Sequence, residues 1–163
     1  MLIRWATESD LPAWYALATE VSAIFQHTED MGADPDFIAY GKKAVNEYKV
    51  LVAVEYTSGS RMGFISISRT KNAIAWFAVS KPYRGQGAGE HLLKTALRQL
   101  DTNKDITVTT FPANYPPGAA ARALYKKYSF TVDEPTTFNG LARSLLTRPA
   151  DGEKFGGSSR YHP

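Results

Sequence analysis

A turn with three alternating glycines joins an apolar run to an amphipathic pattern near the middle of the sequence. The segment reads AWFAVSKPYRGQGAGEHLLKTAL and covers residues 75–97. The first N–H groups of a helix lack partners within the helix, and the helix dipole adds about half a positive charge there. Gly85, Gly87 and Gly89 would let the backbone approach an anion closely, and a charge-assisted contact is available from Arg84. The pattern predicts an anion site, and a diphosphate matches the run of donors better than a single carboxylate.

Three other interpretations of this turn are disfavoured. A tight connection that binds nothing has little need of three alternating glycines after an arginine. A P-loop requires Gly-Lys-Ser/Thr, whereas Gly89 is followed by Glu90 and His91. A dinucleotide turn requires Gly-x-Gly-x-x-Gly and an acid about 20 residues further on. Here the glycines alternate, and the next strand ends in Thr110 and Phe111.

The apolar periodicity along the chain predicts an α+β fold with a mixed sheet covered by helices. Strand patterns occupy residues 2–6, 48–56, 62–68, 73–79, 106–111, 130–132 and 138–146. Helix patterns follow Ser9, a candidate N-cap, and cover residues 36–46, the stretch from the glycine turn to about residue 100, and 118–128. We expect one domain over residues 1–148 and a flexible tail over residues 149–163, where breakers dominate.

Composition narrows the function classes. The chain has no cysteine, which excludes disulfides, thiolate metal sites and a cysteine nucleophile. Its net charge of +3 is spread along the chain, so it is weak evidence for an anionic partner and poor evidence for nucleic acid, which we do not expect as a partner. The N-terminus lacks a signal-peptide pattern, and no apolar window approaches the roughly 20 residues of a membrane span. We expect a cytoplasmic protein with no membrane partner and no metal.

Three segments resemble the GNAT superfamily of N-acetyltransferases, which use acetyl-CoA as cosubstrate. The turn matches the family signature Arg/Gln-x-x-Gly-x-Gly/Ala at Arg84, Gly87 and Gly89. The opening IRWATESDLPAW resembles the first strand and helix, and ARALYKKYSF resembles A-x-x-LY-x-K-x-GF, with Ser129 where glycine is usual. The resemblance covers about residues 1–147. It implies a mixed, mostly antiparallel central sheet of about seven strands flanked by about four helices.

The resemblance also implies how the coenzyme would be bound. The pantetheine arm would lie between two parallel strands that splay apart, with the Val79 N–H donating to the thioester carbonyl. Backbone amides of residues 86–89 would hold the pyrophosphate. The implied coenzyme-binding residues are Phe77, Ala78, Val79, Arg84, Gly85, Gln86, Gly87, Ala88, Gly89 and Asn114.

The catalytic assignments rest on the same resemblance. Tyr125 matches the family tyrosine that protonates the departing coenzyme A sulfur, and its alternative is a core aromatic residue beside Leu124 and Tyr128. The strand before the signature has no carboxylate for a general base, so water could relay the proton. The resemblance places four residues on the acceptor side: Glu20, His27, Glu29 and Asp30. For each of them, a solvated surface role is the alternative.

These expectations favour an acetyl-CoA-dependent N-acetyltransferase. It would act on a primary amine of a small molecule or peptide by direct transfer in a ternary complex. A non-catalytic acyl-CoA-binding or regulatory module is the alternative, and a nucleotide-binding protein of another class is disfavoured by the motifs above. The identity of the acceptor stays open, as does the assembly state, with a homodimer among the alternatives.

Overall fold

Helices and strands follow the predicted α+β order. The structure, a computed structural model, describes residues 1–151. The helices within this part are α1 (Leu11–Val21), α2 (Pro35–Asn46), α3 (Ala88–Arg98) and α4 (Ala119–Lys127). The strands are β1 (Leu2–Trp5), β2 (Val50–Val54), β3 (Arg61–Ser68), β4 (Ala73–Val79), β5 (Ile106–Thr110), β6 (Val132–Phe138) and β7 (Leu141–Arg148).

All seven strands lie in one mixed sheet, in the order β1-β2-β3-β4-β5-β7-β6. The pairs β1–β2, β2–β3, β5–β7 and β6–β7 are antiparallel. β4 and β5 are parallel, with Ala73 opposite Thr107 and Ile74 opposite Val108, while β4 itself runs on to Val79. Parallel neighbours need a crossover connection, and α3 supplies it. The predicted fold class, including the number of strands and helices, is confirmed.

The contacts of the chain group into two compact units. The first comprises Met1–Ile67 and Trp76–Ala96, and the second comprises Ser68–Ala75 and the chain from Leu97 onward. β4 and α3 contribute residues to both units. The proposal of a single domain over residues 1–148 therefore stays a prediction.

The core of the first unit is built around aromatic rings. Trp14, which is fully buried, stacks on Phe64 with ring centroids 5.7 Å apart. Phe37 and Trp76 meet the same indole edge-on, at 5.5 and 5.8 Å. Edge-to-face and offset contacts add about 0.5–1.5 kcal/mol per pair to the stabilisation from burial. The helical spacing of Trp14, Leu17 and Val21 thus places the apolar face of α1 in the core, as predicted.

The first turn of the N-terminal helical segment differs from the prediction. The sequence predicts Ser9 as N-cap, but a 3₁₀ turn over Glu8–Asp10 precedes α1, and Thr7 is the residue that caps it. The Thr7 N–H donates to the carboxylate of Asp10 at 2.8 Å. Arg4 donates to the same carboxylate at 2.7 and 3.0 Å, and Arg61 donates at 2.9 Å. Burial raises the pKa of Asp10, but these hydrogen bonds outweigh it and hold the pKa well below the usual range.

In the second unit, the final hairpin corrects the predicted strands. The sequence pattern predicts a strand over residues 138–146, but β6 ends at Phe138 and β7 begins at Leu141. Asn139 and Gly140 form the connecting turn, with φ of 52° and 78°. An Asn-Gly pair with both φ values positive is the preferred two-residue hairpin turn, because its twist matches that of the strands.

The segment predicted as a tail begins with three described residues, and two of them make contacts in the second unit. The N–H of Ala150 donates to Asp105 Oδ1 at 2.9 Å, and that of Asp151 donates to the Thr102 carbonyl at 2.7 Å. The carboxylate of Asp151 also pairs with Arg148 at 3.2 Å. The rest of the predicted tail, residues 152–163, lies outside the described residues.

Candidate functional site

The glycine turn lies between β4 and α3 in the first unit. Strand β4 ends at Val79, a 3₁₀ turn covers Lys81–Tyr83, and α3 begins at Ala88. Gly85 and Gly87 have φ of +79° and +89°, a conformation that residues with a side chain rarely adopt. A Cβ on Gly85 would meet nothing within 4 Å, and one on Gly87 would meet only His91, at 3.7 Å. Backbone conformation, rather than crowding, therefore requires these glycines, and the space in front of them is open.

The helix after the turn is anchored on its other face. Ala88, Leu92, Leu93 and Ala96 are all buried, while residues 84–87 are exposed. The carbonyl of Gly87 accepts the His91 N–H at 3.1 Å, so the helical hydrogen bonds begin at the turn itself. The first N–H groups of a helix lack partners within it, so a helix that starts beside exposed residues can bind an anion through the backbone and the helix dipole.

The side chains of Arg84 and Gln86 are bonded within this region. Arg84 donates from Nε to the Val79 carbonyl at 3.0 Å, and Gln86 donates from Nε2 to the Pro82 carbonyl at 3.2 Å. The Arg84 guanidinium also lies 3.7 Å from the carboxylate of Glu20 in α1. Both side chains therefore stabilise the turn through hydrogen bonds to its own backbone. The contact expected between Arg84 and an anion stays a prediction.

The end of β4 is closely covered on the side of β3. A Cβ at Gly63 in β3 would lie 2.8 Å from the Ala78 carbonyl oxygen and 3.1 Å from Val79 Cα. Gly63 thus permits an approach that a larger residue would block. Phe77, Ala78 and Val79 remain partly exposed. This strand end is supported by the sheet yet still offers backbone and side-chain surface.

Tyr125 lies in the second unit, on α4. Its side chain is 3% exposed and meets the Phe130 ring edge-on, with centroids 5.5 Å apart. Burial raises the pKa of its hydroxyl, which keeps the phenol protonated over the neutral range. Three residues earlier, Arg122 donates to the Phe111 carbonyl at 3.0 Å and pairs with Asp133 of β6. These contacts fix α4, and with it the placement of Tyr125.

The family is decided by the sequence itself. Residues 38–144 match the sequence model of the acetyltransferase (GNAT) domain, which is more than half of the chain. The chain belongs to the GNAT acetyltransferase family. The matched residues include the glycine turn and the whole of β2 to β6, α3 and α4, together with parts of α2 and β7.

Solved structures of GNAT proteins share the fold. A GNAT-family acetyltransferase from Bacillus cereus is 15% identical, with a TM-score of 0.68 over 91% of this chain and 96% of its own. NAA60 from Arabidopsis thaliana, in complex with a bisubstrate analogue, is 18% identical, with a TM-score of 0.65 over 93% and 98%. yncA from Salmonella typhimurium, with its cofactor acetyl-CoA, is 20% identical, with a TM-score of 0.63 over 90% and 91%. A comparison with curated protein sequences gives no match.

Two of the acceptor-side candidates of this GNAT chain already have structural partners. Asp30 Oδ1 accepts from Thr19 Oγ1 at 2.6 Å and from the Gly32 N–H at 2.9 Å, which caps the short turn before α2. Glu20 accepts from Ser80 Oγ and from the Lys81 N–H, both at 2.8 Å. The contacts of Glu20 join residues 60 positions apart and carried no signal in the sequence.

The remaining predicted site residues are solvent-facing. His27 and Glu29 are exposed in the loop after α1, and Asn114 is exposed in the loop before α4. Within residues 1–151, no three His, Asp or Glu side chains are grouped closely enough to hold a metal ion. None of the helices in that range has the length and apolar composition that a membrane span requires.

Proposed function

We propose that this GNAT protein is an acetyl-CoA-dependent N-acetyltransferase that acts on a primary amine of a small molecule or peptide. The observation that carries the proposal is the open glycine turn between β4 and α3. Its left-handed glycines, anchored helix and unobstructed front match what a diphosphate needs from a backbone site. We further propose that the protein acts in the cytoplasm, without nucleic acid or membrane partners and without a metal.

The coenzyme would be bound mainly by backbone groups. The N–H groups of residues 86–89 donate to the diphosphate oxygens, and the positive end of α3 faces their charge. Arg84 holds the turn through the Val79 carbonyl. The N–H of Val79 is assigned to the thioester carbonyl, which draws electron density from the carbon under attack. Binding at such a site would cost little reorganisation, because Gly85 and Gly87 already have the left-handed conformation that the turn requires.

The transfer would proceed in one ternary complex. The neutral amine attacks the thioester carbon, a C–N bond forms, the C–S bond breaks, and the amine loses a proton. Tyr125 gives its proton to the departing thiolate and regains one from solvent. Burial raises the pKa of its hydroxyl, so the phenol is protonated before the transfer. Because β4 has no carboxylate and Asp30 and Glu20 accept structural hydrogen bonds, we assign to water the relay of the amine proton to solvent.

A non-catalytic acyl-CoA-binding module is the second candidate. The burial of Tyr125 against Phe130 fits a core role for this ring. If Tyr125 only packs, the chain could bind the coenzyme without an acid for the thiolate. This candidate shares the glycine turn with the first and differs only in turnover.

Release of free thiol from acetyl-CoA across a panel of small amines and N-terminal peptides tests the enzyme proposal. We expect turnover with at least one amine, and Tyr125→Phe should lower kcat by about 10²–10⁴-fold while leaving acetyl-CoA affinity unchanged. Tyr128→Phe, just beyond the same helix, is the matched control. Coenzyme binding without turnover on any amine would favour the binding module. If Tyr125→Phe leaves turnover unchanged, Tyr125 is a packing residue of the core and not the acid.

A further inference from the structure

Glu20 joins α1 to the start of the coenzyme turn. It lies in the last turn of α1, and its two carboxylate oxygens reach the first residues after β4. Oε1 accepts from Ser80 Oγ and Oε2 from the Lys81 N–H, each at 2.8 Å. Oε2 also lies 3.7 Å from the Arg84 guanidinium. One carboxylate thus accepts hydrogen bonds from Ser80 and Lys81 and pairs with Arg84, all in the segment that leads into the glycines.

The segment that Glu20 holds is otherwise fixed at few points. The Ser80 N–H donates to the Met62 carbonyl at 2.8 Å, and the N–H groups of Tyr83 and Arg84 donate back to Ser80 and Lys81. Beyond Arg84, the turn contains Gly85 and Gly87 with open surroundings. A glycine-rich turn loses more conformational entropy on ordering than any other, so its shape depends on how firmly its base is held.

We propose that Glu20 is a positioning residue that preorganises the coenzyme turn, rather than the general base of the reaction. This inference rests on the proposed function of the same site. Glu20 holds Ser80 and Lys81 by hydrogen bonds and draws Arg84 toward α1 while Arg84 holds the Val79 carbonyl. The amides beyond Arg84 are thereby presented to the diphosphate in a fixed arrangement. Since both oxygens accept hydrogen bonds, Glu20 is already engaged and is poorly placed to collect a proton from an amine.

Two substitutions separate positioning from base catalysis. Glu20→Ala removes every contact, whereas Glu20→Gln keeps one carbonyl oxygen and the length of the side chain. We expect Glu20→Ala to weaken acetyl-CoA affinity by about tenfold in calorimetry, the size expected for lost hydrogen bonds to a charged group. Glu20→Gln should recover part of that affinity. For both variants, kcat at saturating acetyl-CoA and its pH profile should match the parent.

Ser80→Ala supplies an independent arm that leaves Glu20 in place. We expect it to weaken acetyl-CoA affinity less than Glu20→Ala does, and the double variant should be no weaker than Glu20→Ala alone, because the two side chains share one contact. Glu8→Ala, an exposed carboxylate before α1, is the control for a lost surface charge.

The outcomes distinguish this inference from the proposed function. A parent protein that fails to bind acetyl-CoA overturns the proposed function. If the parent binds acetyl-CoA and both Glu20→Ala and Ser80→Ala bind it as tightly as the parent, the inference is overturned and the proposed function is not. A kcat loss in Glu20→Gln at unchanged affinity, with a shifted pH profile, would make Glu20 the general base and would also overturn it.

Discussion

Two helix starts in this protein use the same residue types for opposite purposes. The α3 start (residues 84–88) and the α4 start (residues 115–119) each contain a glycine just before the helix. Gly87 has φ of +89°, and its Cβ would have open space. Gly118 has an ordinary φ of −90°, but a Cβ there would overlap the side chain of Phe111. The first glycine leaves room for a ligand, and the second lets the chain pack closely.

The arginines beside the two helix starts differ in the same way. Arg84 is 44% exposed and lies 3.7 Å from Glu20, which is itself 36% exposed. Arg122 is 8% exposed, donates to the Phe111 carbonyl at 3.0 Å and pairs with Asp133. An exposed pair contributes little to stability, whereas a buried cation that loses its partner is costly. A glycine and an arginine near a helix start therefore indicate a ligand site only where the surroundings are open.

Gly87→Glu should have the largest effect, and that effect should be on coenzyme binding. It places a carboxylate where the diphosphate would lie, so we expect acetyl-CoA affinity to fall by about 100-fold in calorimetry. Gly59→Glu is the matched control, because Gly59 also has positive φ, +72°, with nothing within 4 Å of its Cβ. Both variants carry similar backbone strain. If the two variants bind acetyl-CoA equally well, the α3 start is not the ligand site and does not differ from the α4 start in this respect.

Arg122→Met should destabilise the fold far more than Arg84→Met. It leaves the Phe111 carbonyl and the Asp133 carboxylate without their donor, and we expect a loss of about 2 kcal/mol in the free energy of unfolding. This loss is smaller than that for fully buried pairs because Asp133 is 39% exposed. Arg84→Met should cost less than about 1 kcal/mol. Urea unfolding measures both, and similar losses would contradict the contrast.

Gly118→Ala should cost about 2 kcal/mol, because the added methyl group overlaps Phe111 and the helix start must shift. Gly87→Ala is the comparison, with an expected cost of about 1 kcal/mol from its left-handed backbone. The two variants add the same atoms, so their costs compare crowding at Gly118 with backbone strain at Gly87. If Gly118→Ala proves the milder change in thermal or urea unfolding, the α4 start is not close-packed.

The smallest effect concerns acid stability at the α4 start. The hydrogen bond from Arg122 holds the pKa of Asp133 below its usual value. A lowered folded pKa stabilises the protein above the unfolded pKa of about 3.9, and this stabilisation is lost as pH falls through the folded pKa. The parent should therefore lose a few tenths of a kcal/mol in its free energy of unfolding as the pH falls below about 4. Asp133→Asn should not show this loss, because asparagine does not titrate. If Asp133→Asn leaves the pH dependence of the free energy of unfolding unchanged below about pH 4, the pair does not lower the pKa of Asp133.

Local pattern predicts most of the fold. Strand β4 is predicted residue for residue, because its apolar run is bounded by a polar turn and the glycine segment. The Asn139–Gly140 hairpin was missed although its signal was present, since apolar residues on both sides resemble one continuous run. The sequence pattern favours Ser9 as the N-cap because serine is a common capping residue. In the structure the cap is Thr7, whose N–H donates to the side chain of Asp10.

The candidate site also has a part that local sequence predicts and a part that it does not. The glycine turn and its left-handed conformation follow from residues adjacent in sequence. The contact of Glu20 with Ser80, and that of Asp10 with Arg61, join residues 60 and 51 positions apart. Nothing in the local pattern distinguishes these carboxylates from solvated ones. Sequence therefore predicts where a coenzyme could bind, and the structure was needed to show which side chains hold that place.

Calorimetry of the parent protein with acetyl-CoA and with S-acetylpantetheine tests the claim that the α3 start holds the diphosphate. The second ligand keeps the thioester and the pantetheine arm but lacks the diphosphate and the adenosine 3′-phosphate attached to it, so the Gly87→Glu variant is needed to assign the difference to the diphosphate. We predict that acetyl-CoA binds at least about tenfold more tightly. We also predict that Gly87→Glu removes most of that difference. Equal affinity of the parent protein for the two ligands would contradict the claim.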